Sequence, residues 1–258
     1  ETTVFKSMIA AYRASMVPAD AGPAAAAAPA AAAAAQHRLR VCVRKRPLLQ
    51  AEVDAAEFDV LTCSGRTAVL HQTRRRVDLE MVLENHTFGF DECFDEHTST
   101  VHVYSASARP LIHTFFGGGR ATVFAFGPTG SGKTFTMVGG GGADGIYGLA
   151  ARDCFEALEA LRRRGDSSLR LHLSMCELYR DTVVDLLAPH GPGRVSVLED
   201  AEGEVQLVGL TERAPADADQ VLAMLDAAQL ARHTASNTVN ETSSRSHALL
   251  QLVLRTAS

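Results

Sequence analysis

The sequence contains no tryptophan, only 6% aromatic residues and only five cysteines in 258 residues. The number of cysteines is odd, and no two of them lie close enough in sequence to form a Cys-x-x-Cys pair. These features argue against a disulfide framework and against a cysteine metal site. We expect reduced, mostly buried thiols, as in a cytosolic protein, at Cys42, Cys63, Cys93, Cys154 and Cys176.

The sequence also lacks any run of about 18 or more apolar residues, which argues against a membrane-spanning helix. Its alanine-rich tract at residues 24–35 is short and is interrupted by Pro29. The N-terminus has no basic–apolar–small pattern of a secretory signal. Positive charge is not in excess, since 25 Lys and Arg against 30 Asp and Glu give a net charge of −5. A uniformly basic nucleic-acid binder is therefore excluded.

What is present is the composition of a globular chain, with 46% hydrophobic and 21% charged residues. Residues 1–17 predict a short helix, because apolar residues recur at spacings of three and four at Phe5, Met8, Ile9 and Tyr12. Residues 18–35 are rich in Pro, Gly and Ala and predict a linker. The globular part begins near Gln36 and continues to residue 258.

Residues 36–258 mix strand and helix signals, which predicts an α/β fold. The apolar run at residues 121–126 predicts a buried strand, and a glycine-rich turn separates it from a helix that opens at Lys133. The nearly unbroken apolar run at residues 248–254 is typical of a central strand covered on both faces. Residues 200–204 read as a hairpin turn.

The segment Gly-Pro-Thr-Gly-Ser-Gly-Lys-Thr at residues 127–134 matches the phosphate-loop pattern G-x-x-x-x-G-K-[ST]. Successive backbone N–H groups can cradle phosphate oxygens only where side chains do not block the approach, and its glycines allow that approach. Lys133 supplies a full positive charge, and the Thr134 hydroxyl can ligate Mg²⁺. The alternative is a glycine-rich turn that happens to precede Lys-Thr. The strand before it and the helix after it favour nucleotide phosphate binding.

Three motifs carry a family resemblance. Residues 124–134 resemble the phosphate loop of the kinesin motor domain, residues 240–247 resemble its switch I, N-x-x-S-S-R-S-H, and residues 44–47 resemble its adenine-side motif, R-x-R-P. The resemblance implies a P-loop NTPase fold of kinesin type, with a mostly parallel or mixed central sheet flanked by helices on both faces. It implies that residues 36–258 are the N-terminal part of a motor domain truncated before switch II, which makes this fragment inactive by itself.

The resemblance implies ATP and Mg²⁺ as ligands and assigns roles residue by residue. The catalytic residues it implies are Lys133, Ser243, Ser244 and Arg245. The nucleotide-binding residues are Arg44, Pro47, Tyr104, Gly127, Pro128, Thr129, Gly130, Ser131, Gly132, Lys133, Thr134 and Asn240, and the Mg²⁺ ligands are Thr134 and Ser244. Tyr104 is equally well explained as a core tyrosine.

The subclass suggested is the microtubule-depolymerising internal-motor kinesins, the kinesin-thirteen class. Residues 36–48 and 197–200 are similar to that class, and residues 8–15 resemble its neck helix. Its diagnostic Lys-Val-Asp at the tip of a finger-like loop reads Arg76-Val77-Asp78 here, which implies a tubulin contact. The partners implied are tubulin and microtubules, with no nucleic acid and no membrane. The resemblance is compatible with a homodimer formed through regions outside this sequence, and the implied location is the cytoplasmic microtubule cytoskeleton.

Two hypotheses for function follow. The first is an ATP-dependent microtubule motor that bends and releases tubulin at microtubule ends. The second is a nucleotide-regulated microtubule-binding scaffold with little ATPase activity, because Pro128 replaces the usual family glutamine and lacks an N–H near the phosphates. A P-loop enzyme unrelated to tubulin would require the switch I match to be coincidental.

Overall fold

The structure is a computed structural model that describes residues 2–16, 39–189, 191, 193–238 and 246–256. The chain divides into two compact units, Glu1–Pro110 and Leu111–Ser258, and each is described by itself. The linker predicted at residues 18–35 lies outside the described residues.

Unit 1, Glu1–Pro110, contains a parallel strand pair and a three-stranded antiparallel sheet in the order β2-β3-β4. Its strands are β1 (Cys42–Arg44), β2 (Leu61–Ser64), β3 (Thr67–Arg75), β4 (Met81–Gly89) and β5 (Glu92–Phe94). Its helices are α1 (Thr2–Ser15), α2 (Gln50–Asp54) and α3 (Thr100–Ser107), and α4 (Arg109–Phe116) starts at its end.

Helix α1 confirms the prediction made for residues 1–17. Its apolar stripe is the one expected from the spacing, since Phe5 and Ile9 are buried. Helix α1 packs near β4, and the ring of Tyr12 meets the ring of His71 on β3 edge to face at 5.0 Å between centroids. The helix therefore forms part of the core of unit 1.

Strands β3 and β4 form a long hairpin, called the finger below, at the residues where the resemblance places a finger-like loop. They stay in register from Thr67 opposite Gly89 to Arg75 opposite Met81. The turn is closed by a hydrogen bond from the Arg76 amide to the Glu80 carbonyl at 2.9 Å. Residues 76–80 therefore form the exposed tip of this hairpin.

Unit 2, Leu111–Ser258, is built around a five-stranded sheet in the order β11-β10-β9-β8-β12. Its strands are β6 (Gly139–Gly140), β7 (Ala143–Asp144), β8 (Leu169–Tyr179), β9 (Thr182–Asp185), β10 (Gly193–Glu199), β11 (Val205–Val208) and β12 (Ser246–Thr256). Its helices after α4 are α5 (Lys133–Met137), α6 (Ile146–Arg163) and α7 (Ala218–Thr238).

The core of unit 2 lies between the two long helices and one face of the sheet. Side chains that alternate along β8, at Leu171, Leu173 and Met175, pack with buried residues of α6 and α7. Alternate residues of β12 join the same cluster, because β12 is paired with β8 along eleven residues. Burial of this apolar surface is the main stabilising contribution to unit 2.

The hairpin turn expected at residues 200–204 is confirmed between β10 and β11. The Asp200 amide donates to the Glu204 carbonyl at 3.0 Å. The Asp200 carboxylate accepts in turn from the Glu204 amide at 2.8 Å and from the Glu202 amide at 3.1 Å. An aspartate whose carboxylate accepts hydrogen bonds from the amides of its own turn stabilises a short reversal of the chain.

The five strands of the sheet in unit 2 pair antiparallel, whereas β1 pairs with β5 in parallel in unit 1, so both kinds of pairing occur among the described strands. One expectation about the sheet needs correction. Strand β12 has one neighbour, β8, among the described residues and so lies at the edge of the sheet, not at its centre.

The buried strand predicted at residues 121–126 is wrong for this structure. No described strand pairs with the segment, and Phe124 and Phe126 are 74% and 95% exposed. An apolar run becomes a buried strand only when neighbours supply both ladder partners and cover for its faces. Within the described part of unit 2, neither is provided.

The cysteines behave as expected, and all five are free thiols. Burial raises the pKa of Cys63 to about 11 and that of Cys154 to about 12. Such thiols stay protonated at neutral pH and are poor nucleophiles. Among the described helices, none combines the length and apolarity needed to cross a bilayer.

Truncation of the β8 core tests the packing of unit 2. Leu173 is fully buried, so we predict that Leu173→Ala lowers the free energy of unfolding by about 2–5 kcal/mol through lost burial and a residual cavity. The matched control Leu198→Ala removes the same atoms from a side chain that is 55% exposed, and we expect a change within about 0.5 kcal/mol. Urea unfolding followed by circular dichroism measures both, and equal losses would contradict this packing.

Candidate phosphate-binding site

The loop at residues 127–134 turns on two glycines with left-handed backbone. Gly130 and Gly132 have φ of 81° and 91°, values that residues with a Cβ adopt only at a cost. Gly127 is needed for a different reason, because a Cβ there would lie 2.6 Å from the Ser131 hydroxyl. The path of the backbone therefore favours glycine at residues 130 and 132, whereas at residue 127 a Cβ would crowd the Ser131 side chain.

The ammonium of Lys133 closes this loop. Its Nζ donates to the carbonyl of Gly127 at 2.8 Å and to the carbonyl of Pro128 at 2.9 Å. The Pro128 carbonyl also accepts from the Ser131 amide at 3.2 Å, which forms the turn within the loop. The positive charge of Lys133 is thus held against the backbone that the motif assigns to phosphate binding.

Helix α5 begins directly at Lys133, with Gly132 as its N-cap residue. It is only five residues long, so it contributes less dipole than the long helix usual after a phosphate loop. The loop amides and the Lys133 charge therefore supply most of the positive potential available to an anion here.

The Thr134 hydroxyl fits a magnesium ligand in chemistry and position. Thr134 is exposed in the first turn of α5, and its hydroxyl oxygen is the hard donor that Mg²⁺ prefers. Among the described residues, no group of three or more His, Cys, Asp or Glu side chains is arranged to hold a metal. Of the two predicted magnesium ligands, Thr134 and Ser244, the described residues include Thr134.

The predicted adenine-side residues lie in unit 1, at and after the end of β1. Arg44 is partly buried, and its Nη2 donates to the Thr100 hydroxyl at 2.9 Å and to the Thr98 carbonyl at 3.4 Å. Burial lowers the pKa of the Arg44 guanidinium from its usual value, but the group stays charged at neutral pH. Pro47 is exposed, so its ring is accessible to a flat ligand.

Two sets of predicted site residues remain, namely Tyr104, which the structure describes, and four switch I residues, which it does not. Tyr104 is 3% exposed in α3, which favours the core interpretation that the sequence left open. Asn240, Ser243, Ser244 and Arg245 lie outside the described residues, so their roles stay predictions.

The predicted tubulin-contacting residues occupy the tip of the β3–β4 hairpin. Val77 is fully exposed at the turn, and Leu79 adopts a left-handed φ of 71°. The neighbouring arginines are partly neutralised, since Arg76 pairs with Glu80 at 2.9 Å and Arg74 pairs with Glu84 at 3.2 Å. The tip therefore presents an apolar side chain flanked by ion pairs more than a free positive charge.

A partly buried ion pair that no sequence pattern pointed to lies beside the start of β12. Arg232 on α7 donates to the Glu177 carboxylate at 2.7 Å and to the Ser246 hydroxyl at 2.9 Å. The Arg232 and Glu177 side chains are 17% and 14% exposed. Because the pair joins residues 55 positions apart, no local spacing pattern could have predicted it.

Comparison with known proteins agrees with the motifs. The family model of the kinesin motor domain matches residues 44–258. A solved structure of a fast kinesin, described for its ATPase mechanism and its interactions with microtubules, is similar with a TM-score of 0.73 at 24% sequence identity. The match covers 84% of this chain and 59% of that one, so the chain spans about three fifths of the length of the structure it matches.

The left-handed backbone of the loop can be tested without any ligand. A Cβ at residue 132 would meet open space, so Gly132→Ala adds only backbone strain, and we predict a loss of about 1–2 kcal/mol in the free energy of unfolding. Gly89→Ala is the matched control, because that site is also open but its φ lies outside the left-handed region. If urea unfolding gives the same change for both variants, the conformation described for Gly132 is contradicted.

Proposed function

The chain belongs to the kinesin motor domain family, and from that premise we propose that it is the nucleotide-binding part of an ATP-dependent microtubule motor. The observation that carries the proposal is the loop at residues 127–134, where two left-handed glycines and the Lys133 ammonium form a compact turn that carries a positive charge. Family membership supports ATP with Mg²⁺ as the ligand and a microtubule as the track, in the cytoplasm.

In this proposal the loop residues act by positioning and by charge. The amides of residues 129–133 donate to phosphate oxygens, and Lys133 exchanges its two carbonyl partners for the β and γ phosphates. Thr134 supplies a hydroxyl ligand to the magnesium ion, which neutralises phosphate charge when bound. Phosphoryl transfer depends mainly on such positioning and neutralisation, since the protein need not form a covalent intermediate.

The other roles come from the switch I resemblance. Ser243 meets the γ-phosphate or the attacking water, and Ser244 adds a second hydroxyl to the magnesium shell. Arg245 pairs with an acidic residue of switch II and closes the site around the γ-phosphate. In unit 1, Arg44 and Pro47 contact the adenine ring through a cationic and an apolar face.

For the finer activity, we propose removal of tubulin from microtubule ends. The support is the finger: a nine-residue β3 paired along its whole length with β4, which presents Val77 at a fully exposed tip. An exposed large apolar residue at the end of a rigid hairpin fits a wedge between curved protofilaments. ATP binding would favour the bent state of tubulin, and hydrolysis would release it.

The scaffold hypothesis remains the alternative, and Pro128 favours it. Proline has no N–H, so the loop has one phosphate donor fewer than the family glutamine would give. The missing donor weakens nucleotide binding and would slow turnover.

Tubulin release tests the motor proposal against a matched inactive variant. We predict that the full-length protein that contains this chain, incubated with stabilised microtubules and Mg·ATP, releases soluble tubulin, and that Lys133→Ala in that protein abolishes the release because the phosphates lose their cation. Loss of this single charge should reduce turnover by a factor of about 100 or more. Sedimentation separates free tubulin from polymer, and release no greater than that of Lys133→Ala would reject the depolymerase.

A second measurement on the same samples separates motor from scaffold. Co-sedimentation with microtubules measures binding, and phosphate release measures hydrolysis. Binding accompanied by microtubule-stimulated phosphate release supports the motor, whereas binding without it supports the scaffold.

A further inference from the structure

In addition to its buried apolar residues, helix α1 contacts the rest of unit 1 through Arg13, which has several hydrogen-bond partners there. The Arg13 guanidinium donates from Nε to the Thr62 hydroxyl at 2.8 Å. Its Nη2 lies 2.8 Å from the Asp59 carboxylate and 3.1 Å from the Leu61 carbonyl. A planar guanidinium with several fixed acceptors is a specific docking contact, which a lysine could not reproduce.

The Asp59 carboxylate is shared between α1 and the segment that follows β1. The oxygen that accepts from Arg13 also accepts from Lys45 Nζ at 2.5 Å, and the other oxygen accepts from the Leu61 amide at 3.1 Å. Burial by itself would raise the pKa of Asp59, but the hydrogen bonds from Lys45 and Leu61 and the charges of Lys45 and Arg13 outweigh it and lower that pKa. The carboxylate is therefore charged and fully engaged at neutral pH.

Lys45 is the connection to the predicted adenine-side residues. Its side chain is 10% exposed and lies between two carboxylates, Asp59 and Glu96, the latter at 2.8 Å. Its amide also donates to the Phe94 carbonyl at 2.9 Å, which continues the β1–β5 pairing past Arg44. Lys45 thus fixes the backbone between Arg44 and Pro47 from both its main chain and its side chain.

We propose that Asp59 is a positioning residue that couples docking of α1 to binding of the nucleotide base. With α1 docked, Arg13 and Lys45 share the Asp59 carboxylate, and Lys45 holds the Arg44–Pro47 segment in the shape that contacts adenine. This inference rests on the proposed function, because it requires Arg44 and Pro47 to contact the base.

The proposed coupling between α1 docking and base binding acts in both directions. If docked α1 raises the affinity for the base, then a bound base must stabilise docked α1 by the same factor. The effect is confined to ligands that carry a base, since the phosphate loop at residues 127–134 shares no residue with the Arg13–Asp59–Lys45 cluster. A base-free triphosphate therefore serves as the internal control.

Calorimetric titration of the protein with Mg·ATP and with Mg·tripolyphosphate tests the proposal. We expect Arg13→Ala to weaken Mg·ATP binding about fivefold or more while leaving Mg·tripolyphosphate binding unchanged. Arg13→Lys, which keeps the charge but not the planar fork, should fall between Arg13→Ala and the wild type. Lys6→Ala removes a positive charge from the exposed surface of the same helix and should change neither affinity.

A second measurement needs no variant. Amide hydrogen exchange of residues 2–15 in the wild type should slow when Mg·ATP is added and should not slow with Mg·tripolyphosphate. This result would separate coupling from a purely structural role of Arg13, because it compares two ligands on one folded protein.

The outcomes that overturn the proposal are distinct. If the wild type binds Mg·ATP more tightly than Mg·tripolyphosphate and Arg13→Ala leaves that difference intact, the coupling is wrong and the proposed function stands. If Arg13→Ala weakens both ligands equally, Arg13 is merely structural. If the wild type binds neither ligand, the proposed function and the coupling both fail.

Discussion

The conformation of the backbone at residues 127–134 is the constraint on which the rest of this structure's chemistry depends. Two glycines have left-handed φ values there, and the Lys133 ammonium donates hydrogen bonds to the carbonyls of Gly127 and Pro128. An ammonium and several amides concentrated in one short turn are suited to a highly charged anion. The proposed function depends on this turn, because it is where the proposal places the triphosphate.

The two units carry different sets of the predicted site residues. Unit 2 supplies the phosphate loop and a sheet whose core is packed under two long helices. Unit 1 supplies the finger, the adenine-side segment and the docked helix α1, and Asp59 ties the last two together through one carboxylate. The charges that matter most in unit 1 are therefore those shielded by burial, since the exposed pairs at the finger tip contribute little to stability.

Local sequence patterns predicted individual helices and turns well. They failed where tertiary neighbours decide whether a segment is paired and buried. The spacing of Phe5 and Ile9 located the buried stripe of α1, and the phosphate-loop motif located the glycine turn. Residues 121–126 were expected to form a buried strand from their apolar run, but burial requires partner strands that a run cannot encode. The Asp59–Lys45 and Arg232–Glu177 contacts escaped prediction because tertiary folding, not sequence spacing, brings those charges together.

Amide hydrogen exchange across residues 127–134, with and without saturating Mg·ATP, tests most directly whether this loop wraps a triphosphate. We predict that Mg·ATP slows exchange at the loop amides, because each becomes a hydrogen-bond donor to a phosphate oxygen, and that Lys133→Ala removes most of this protection. Unchanged exchange at these amides in the wild type at millimolar Mg·ATP would contradict the assignment of this loop as the phosphate site.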